Sequence, residues 1–246
     1  MPVKYFTVGG FVFYFLFFCS RQLSCPTFFY SITTKSILNY LCCLIDTVLQ
    51  CLSSMITIID YGNTNSNEIA ESLENLSVDF VISNSESDIL QATKLILPDS
   101  TDISSSIRKL HLLNLFSILR IIKKPILGIG TGMHLMTKSF EDINAACLGC
   151  FPVECKTEEI QQNMFEHEQS IKIIQETSLL DNIKKEDKFY FEGDCFIPPN
   201  EFSTSIANIN GEITASIEKE HFLGIQFNPV KSGDAGMRVF RNFVEM

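Results

Sequence analysis

The residues whose types and spacing are suited to chemistry fall in one stretch, residues 125–136, which reads Pro-Ile-Leu-Gly-Ile-Gly-Thr-Gly-Met-His-Leu-Met. The apolar run 125–129 predicts a buried strand. A glycine-rich turn, 128–132, follows it, and a helical pattern starts at Met133. Strand, tight turn and helix make a nucleophile elbow, which lifts one residue above the end of a sheet. The chemistry of such an elbow is acyl transfer. A thiol or hydroxyl at the apex attacks a carbonyl, a base takes its proton, and preorganised donors hold the oxyanion. The apex here is Gly130, which has no side chain to attack with. A second reading of the same residues is anion binding, since Gly128, Gly130 and Gly132 at a helix N-terminus can form a backbone nest for phosphate or carboxylate. The opposing reading is that glycine relaxes the apex and nothing binds.

Other reactive side chains are scattered. Thr131 adjoins the apex, but no base accompanies it in the motif. His134 lies one turn into the helix, either facing the cleft or serving a structural or solvated role. His111, His167 and His221 are isolated and read as surface residues. Asp99 and Asp102 follow a strand and stand in a Ser/Thr-rich turn, where a carboxylate caps a helix more often than it holds a cation. Cys147 and Cys150 form a C-x-x-C spacing in a Leu-Gly-Cys-Phe-Pro context, which reads as a loop entering a strand and not as a redox dithiol opening a helix. Reduced, partly buried thiols are the expectation, with no metal and no cofactor.

These residues need a frame, and the pattern after Met55 supplies one. Strands are predicted at 56–59, 78–82, 95–97 and 125–129, with helices at 65–76, 86–91 and 103–122 between them. Such alternation implies a parallel sheet covered on both faces, a flavodoxin-like doubly wound α/β fold, with sites at the carboxyl ends of its strands. The second half changes character. Short strands at 151–155, 170–174, 188–191, 203–209, 213–217 and 222–227 imply an added antiparallel portion. Asn208-Ile-Asn-Gly211 reads as a hairpin turn. An amphipathic helix over 233–244, with Met237, Phe240 and Val244 on one face, closes the chain.

The 246 residues divide by composition into 1–54 and 55–246. The first segment holds only four charged side chains, Lys4, Arg21, Lys35 and Asp46, together with eight of the 21 Phe and five of the nine Cys. Its apolar runs, 8–18 and 36–52, leave three readings open: an extension upstream of a start at Met55, a targeting or membrane segment, or an extra structural element. Residues 55–246 are expected to form one cytoplasmic domain without a membrane span. A net charge of −10 argues against a nucleic-acid partner, because phosphate backbones bind basic surfaces.

Several short stretches, in order, carry a resemblance: Ile58-Ile-Asp-Tyr-Gly62, the 125–133 elbow, Phe189-Tyr-Phe191, Gly224-Ile-Gln-Phe-Asn-Pro-Val-Lys-Ser232 and Arg241-Asn-Phe243. Together they resemble the glutaminase subunit of imidazole glycerol phosphate synthase, a class I glutamine amidotransferase of histidine biosynthesis, over residues 55–246. The resemblance implies an elbow cysteine activated by a histidine that a glutamate orients, and ammonia passed to a partner cyclase-barrel subunit in a heterodimer. The sequence departs from that pattern at each reactive place. The family's Gly-Ile-Cys-x-Gly-Met-Gln is here Gly128-Ile-Gly-Thr-Gly-Met-His134, so Gly130 stands for the cysteine. The family's Gln-Phe-His-Pro-Glu-Lys-Ser is here 226–232, so Asn228 stands for the base and Val230 for its carboxylate. The oxyanion strand Pro-Gly-x-Gly is here Pro98-Asp-Ser-Thr101, which puts Asp99 and Ser100, with Thr131 across the turn, at the oxyanion loop. A carboxylate at Asp99 is expected to repel an oxyanion. The His-Ser-Tyr that follows Phe-Tyr-Phe in the family falls on Gly193-Asp-Cys195. The expectation is an amidotransferase-like subunit without glutaminase activity and with doubtful glutamine binding. The rivals are a working amidotransferase with a non-standard nucleophile and a sensor of small anions.

Overall fold

The computed structural model describes residues 7–8, 11–12, 55–62, 64–140, 145–157 and 167–246. The chain resolves into two units, Met1–Val48 and Leu49–Met246. In the first, strands β1 (Thr7–Val8) and β2 (Phe11–Val12) pair antiparallel. Most of the run 8–18 and all of 36–52 lie outside the described residues.

The second unit is built on an eight-stranded sheet. Its first strand, β3 (Ile56–Ile59), is fully buried, and helix α1 (Ser66–Asn75) crosses over to β4 (Phe80–Ser83). Helix α2 (Glu86–Gln91) leads to β5 (Lys94–Leu97). Helices α3 (Ile103–Leu112) and α4 (Leu115–Ile121) lead to β6 (Ile126–Ile129). These four strands and β16 (Phe222–Ile225) pair in parallel in the spatial order β4-β3-β5-β6-β16. That is the 2-1-3-4-5 order of a flavodoxin-like sheet, so ligand sites are expected at the carboxyl ends of the strands. Beyond β16 the sheet continues antiparallel through β15 (Glu212–Lys219) and β14 (Ser203–Asn208) to β11 (Ile171–Ile173).

Alternation along the strands assigns side chains to two cores. Ile56, Ile58, Ile96, Leu127 and Ile129 face one layer, with Ile69 and Leu73 of α1. Ile59, Leu95, Leu97 and Ile126 face the other, with Ile107, Leu110, Leu115 and Leu119 of α3 and α4. A strand buried on both faces favours near-continuous apolar residues, and Thr57, the buried polar exception in β3, donates its hydroxyl to the Asp88 carbonyl at 3.2 Å.

The observed boundaries differ from the predicted ones where local geometry intervenes. The single helix expected over 103–122 is two helices, because Asn114 takes left-handed φ 56 between them. The strand expected over 151–155 begins only at Glu154, as β9 (Glu154–Thr157), and the last strand stops at Ile225. The closing helix α6 (Gly233–Glu245) buries Ala235, Gly236, Val239, Phe240 and Phe243, whereas Met237 and Val244 lie at the margin of that face. A small second sheet in the order β13-β9-β7-β8 uses β7 (Ser139–Phe140), β8 (Ala145–Ala146) and β13 (Cys195–Phe196). Strands β10 (His167–Gln169) and β12 (Phe189–Phe191) form a separate pair. Among the described residues no helix is long and apolar enough to cross a membrane.

Candidate functional site

The elbow forms as the sequence predicts, with α5 (Thr131–Leu135) starting at Thr131, two residues earlier than expected. Gly130 caps the helix at φ 51, ψ −117, a conformation costly for any residue with a Cβ. The glycines beside it are required by close approach. A Cβ on Gly132 would lie 2.1 Å from the Leu97 carbonyl oxygen, and one on Gly128 would lie 2.7 Å from the backbone of Met133. The helix is therefore pressed directly onto β5 and β6.

The three glycines do not form an open nest. The Gly130 N–H donates to the Ile225 carbonyl at 2.8 Å, tying the apex to β16. The Thr131 N–H donates to Asp99 Oδ1 at 2.8 Å. In an active elbow the N–H after the nucleophile is an oxyanion donor. Here it is taken by a carboxylate of the protein itself. The same Oδ1 accepts from the Ser100 N–H at 2.9 Å, and a Cβ on Gly130 would lie 2.7 Å from it and 2.8 Å from the Asp99 Cγ. Asp99 thus fills both the donor site and the volume into which an apex side chain would project. The sequence suggested a carboxylate near the elbow, and the structure places its oxygen on the Thr131 N–H.

The surrounding loop is firmly held. The Asp99 carbonyl accepts from the Asn65 N–H at 3.0 Å. The Thr131 hydroxyl donates to the Ser100 carbonyl at 2.8 Å, so its proton is committed to backbone. Buried Tyr61 donates to the Pro98 carbonyl. Burial, and then the nearby Asp99 charge, hold its phenol well above the usual tyrosine range. Asp102 does what its context predicts: its carboxylate accepts from the Ser104 N–H at 2.9 Å and caps α3.

Asn228 lies three residues past the end of β16, the strand beside the elbow, and is buried. Its Oδ1 accepts from the N–H groups of Val230 and Lys231 at 2.9 and 3.1 Å. Its Nδ2 donates to Glu192 Oε1 at 3.1 Å. Both amide ends are therefore used in shaping the turn, and an amide has no accessible proton-accepting nitrogen at neutral pH. Val230 is half-buried and offers no charge. The carboxylate close to Asn228 is Glu192, which pairs with Lys231 at 2.6 Å and raises that amine's pKa. Sequence reasoning missed this Glu192–Lys231 clasp, because its members are 39 positions apart and are joined through the antiparallel bridge between Tyr190 and Asn228.

His134 is buried, 4 % exposed, and its Nε2 meets Gln226 Oε1 at 2.7 Å. Gln226 Nε2 donates to the Cys195 carbonyl at 3.2 Å. The amide's oxygen therefore faces the imidazole, which fixes the Nε2–H tautomer. Burial lowers the pKa of His134, opposed by the Gln226 bond and by the charges of Asp99 and Asp194. It is an interior structural residue, not a solvated one. His111 stacks on Phe116 at 4.1 Å, and the side chain of His167 lies outside the described residues. Cys147 and Cys150 are buried thiols in a loop, and burial pushes them up to about 11 and about 12. No group of three or more metal-ligating side chains is assembled among the described residues.

A 2-1-3-4-5 sheet with an elbow at the end of β6 and a turn at the end of β16 defines the class I amidotransferase architecture, and comparison with known proteins agrees. Residues 57–246 match the family glutamine amidotransferase class-I, and the chain belongs to that family. It is 32% identical over 194 residues to imidazole glycerol phosphate synthase subunit HisH of Haemophilus influenzae, covering 77% of this chain and 96% of the relative. It is likewise 32% identical over 202 residues to subunit HisH 2 of Methanococcus maripaludis, covering 78% and 99%. Among solved structures, one described as a glutamine amidotransferase superposes with a TM-score of 0.62 at 12% identity, over 77% of this chain and 97% of that one. PurLQS from Thermotoga maritima superposes with a TM-score of 0.57 at 13% identity, over 78% and 98%. These two likenesses concern the fold alone.

Proposed function

We propose that this protein is a HisH-like subunit of an imidazole glycerol phosphate synthase-type assembly in histidine biosynthesis that does not itself hydrolyse glutamine. In this reading it is a cytoplasmic protein that forms a heterodimer with a cyclase-barrel subunit and acts as a binding or regulatory partner. The observation that carries the reading is the Asp99 carboxylate on the Thr131 N–H, beside an apex with no side chain. Glutaminase chemistry needs a nucleophile, a base and free oxyanion donors. Gly130 supplies no nucleophile, Asn228 no base, Val230 no orienting charge, and the donors are already engaged. Losing the nucleophile or the base of such a unit lowers turnover by on the order of 10⁶-fold. Thr131 does not substitute, since its hydroxyl proton is committed to the Ser100 carbonyl and the neighbouring Asp99 carboxylate is itself held by the Thr131 and Ser100 N–H groups.

The test uses the full chain, alone and mixed with a cyclase barrel from a HisH-type system. Glutamate release from glutamine is followed, and association is followed by co-elution. Association without glutamate release is the expected result. Glutamate release above background, abolished by a change in the elbow, would establish the rival reading of a working amidotransferase with another nucleophile.

A further inference from the structure

Asp99 follows β5 and Gly130 follows β6, two neighbouring parallel strands, and the two residues meet only because both chains turn at the same end of the sheet. One oxygen, Asp99 Oδ1, is both the acceptor for two backbone N–H groups, at 2.8 and 2.9 Å, and the atom nearest to where a Cβ of residue 130 would lie, at 2.7 Å. We propose that Asp99 is a resident occupant of the elbow's anion hole, and that positions 99 and 130 are interlocked through it. The carboxylate takes the place of the anionic oxygen that a ligand would bring. While it is seated, no carbonyl or carboxylate of a small molecule reaches the Thr131 N–H. While it is seated, position 130 also admits no side chain.

Neither substitution is then reversible alone. A side chain at 130 opposite Asp99 must expel the carboxylate from its two donors or shift the elbow, in addition to the left-handed φ penalty. Removing Asp99 opposite Gly130 leaves two N–H groups to water and a gap above the crest. Only the paired change keeps the crest filled. This inference rests on the reading of the elbow as catalytically silent, but its test requires no turnover.

The experiment is a double-mutant cycle in the full chain, using wild type, Asp99→Ala, Gly130→Ala and the double variant, each unfolded in urea. The φ penalty of alanine at position 130 is present in both backgrounds and cancels. Gly130→Ala is expected to lower the folded-to-unfolded ratio roughly tenfold more in the wild-type background than in the Asp99→Ala background, as for residues in direct contact. Equal effects in the two backgrounds would overturn the interlock. If Gly130→Ala fails to fold, amide exchange on Asp99→Ala alone decides. The Thr131 amide is expected to exchange about tenfold faster than in wild type, having lost a charged acceptor, and unchanged exchange would overturn the occupancy. Glutaminase activity in the wild type would refute the silent reading while leaving the coupling measurable, so the two failures are distinguishable.

Discussion

Acidification should destabilise this protein through His134 in particular. The imidazole is buried on α5 and donates through Nε2 to Gln226, whose own amide is anchored on the Cys195 carbonyl. Burial holds its folded pKa below the unfolded value of about 6.5, and the opposing charges of Asp99 and Asp194 reduce that shift without reversing it. Below about pH 6.5 the unfolded chain therefore binds a proton that the folded chain refuses. The stabilisation is complete above the unfolded pKa and is lost progressively as pH falls toward the folded one. While only the unfolded form is protonated, one site contributes a slope of at most about 1.4 kcal/mol per pH unit. Carboxylates across the protein also change stability in acid, so the measurement must be a difference. His134→Gln retains a hydrogen-bonding side chain opposite Gln226 but does not titrate. Urea unfolding of both proteins from about pH 8 to about pH 5 should give curves that run parallel above about pH 7, where neither state of the imidazole is charged. Below about pH 6.5 the wild type should lose stability faster, approaching that limiting slope. Curves that stay parallel across the whole range would mean that His134 is not held neutral in the interior, and the reasoning would fail.

Four further outcomes are expected. Gly132→Ala should cost ~3 kcal/mol or prevent folding, because its Cβ would press into the Leu97 carbonyl at 2.1 Å. Gly62→Ala, at φ 84 but with nothing within 4 Å, should cost only about 1 kcal/mol in the same urea assay. Asn228→Ala should lose ~2 kcal/mol, since it removes the acceptor of two N–H groups and the amide partner of Glu192, and a neutral result would deny its structural role. Cys147 and Cys150, with thiols at about 11 and about 12, should resist iodoacetamide at mildly alkaline pH in the native protein and react after unfolding, as read by mass spectrometry.

Much of the frame is legible because local pattern dictates it. Apolar runs such as 56–59 and 126–129 have few alternatives to a doubly buried strand, and the helix predicted over 86–91 has the observed boundaries. The break at Asn114 is not legible, since the apolar period continues through it and only the left-handed backbone of one residue interrupts the helix. The buried face of α6 differs from the predicted one by a small rotation, because Gly236 seats the helix against the Pro229 carbonyl and turns Val239 and Phe243 inward.

The sequence by itself determined which side chains the motif positions carry. Gly130, Asn228 and Val230 stand in motifs short enough to be read directly, and none of the three bears a thiol, an imidazole or a carboxylate. What the tertiary structure decided is what fills the space. Asp99 and Thr131 are 32 positions apart, and their hydrogen bond exists only because β5 and β6 lie side by side and turn at the same end. A donor's partner is fixed by proximity in space, and proximity between distant residues is a property of strand order that short motifs do not encode.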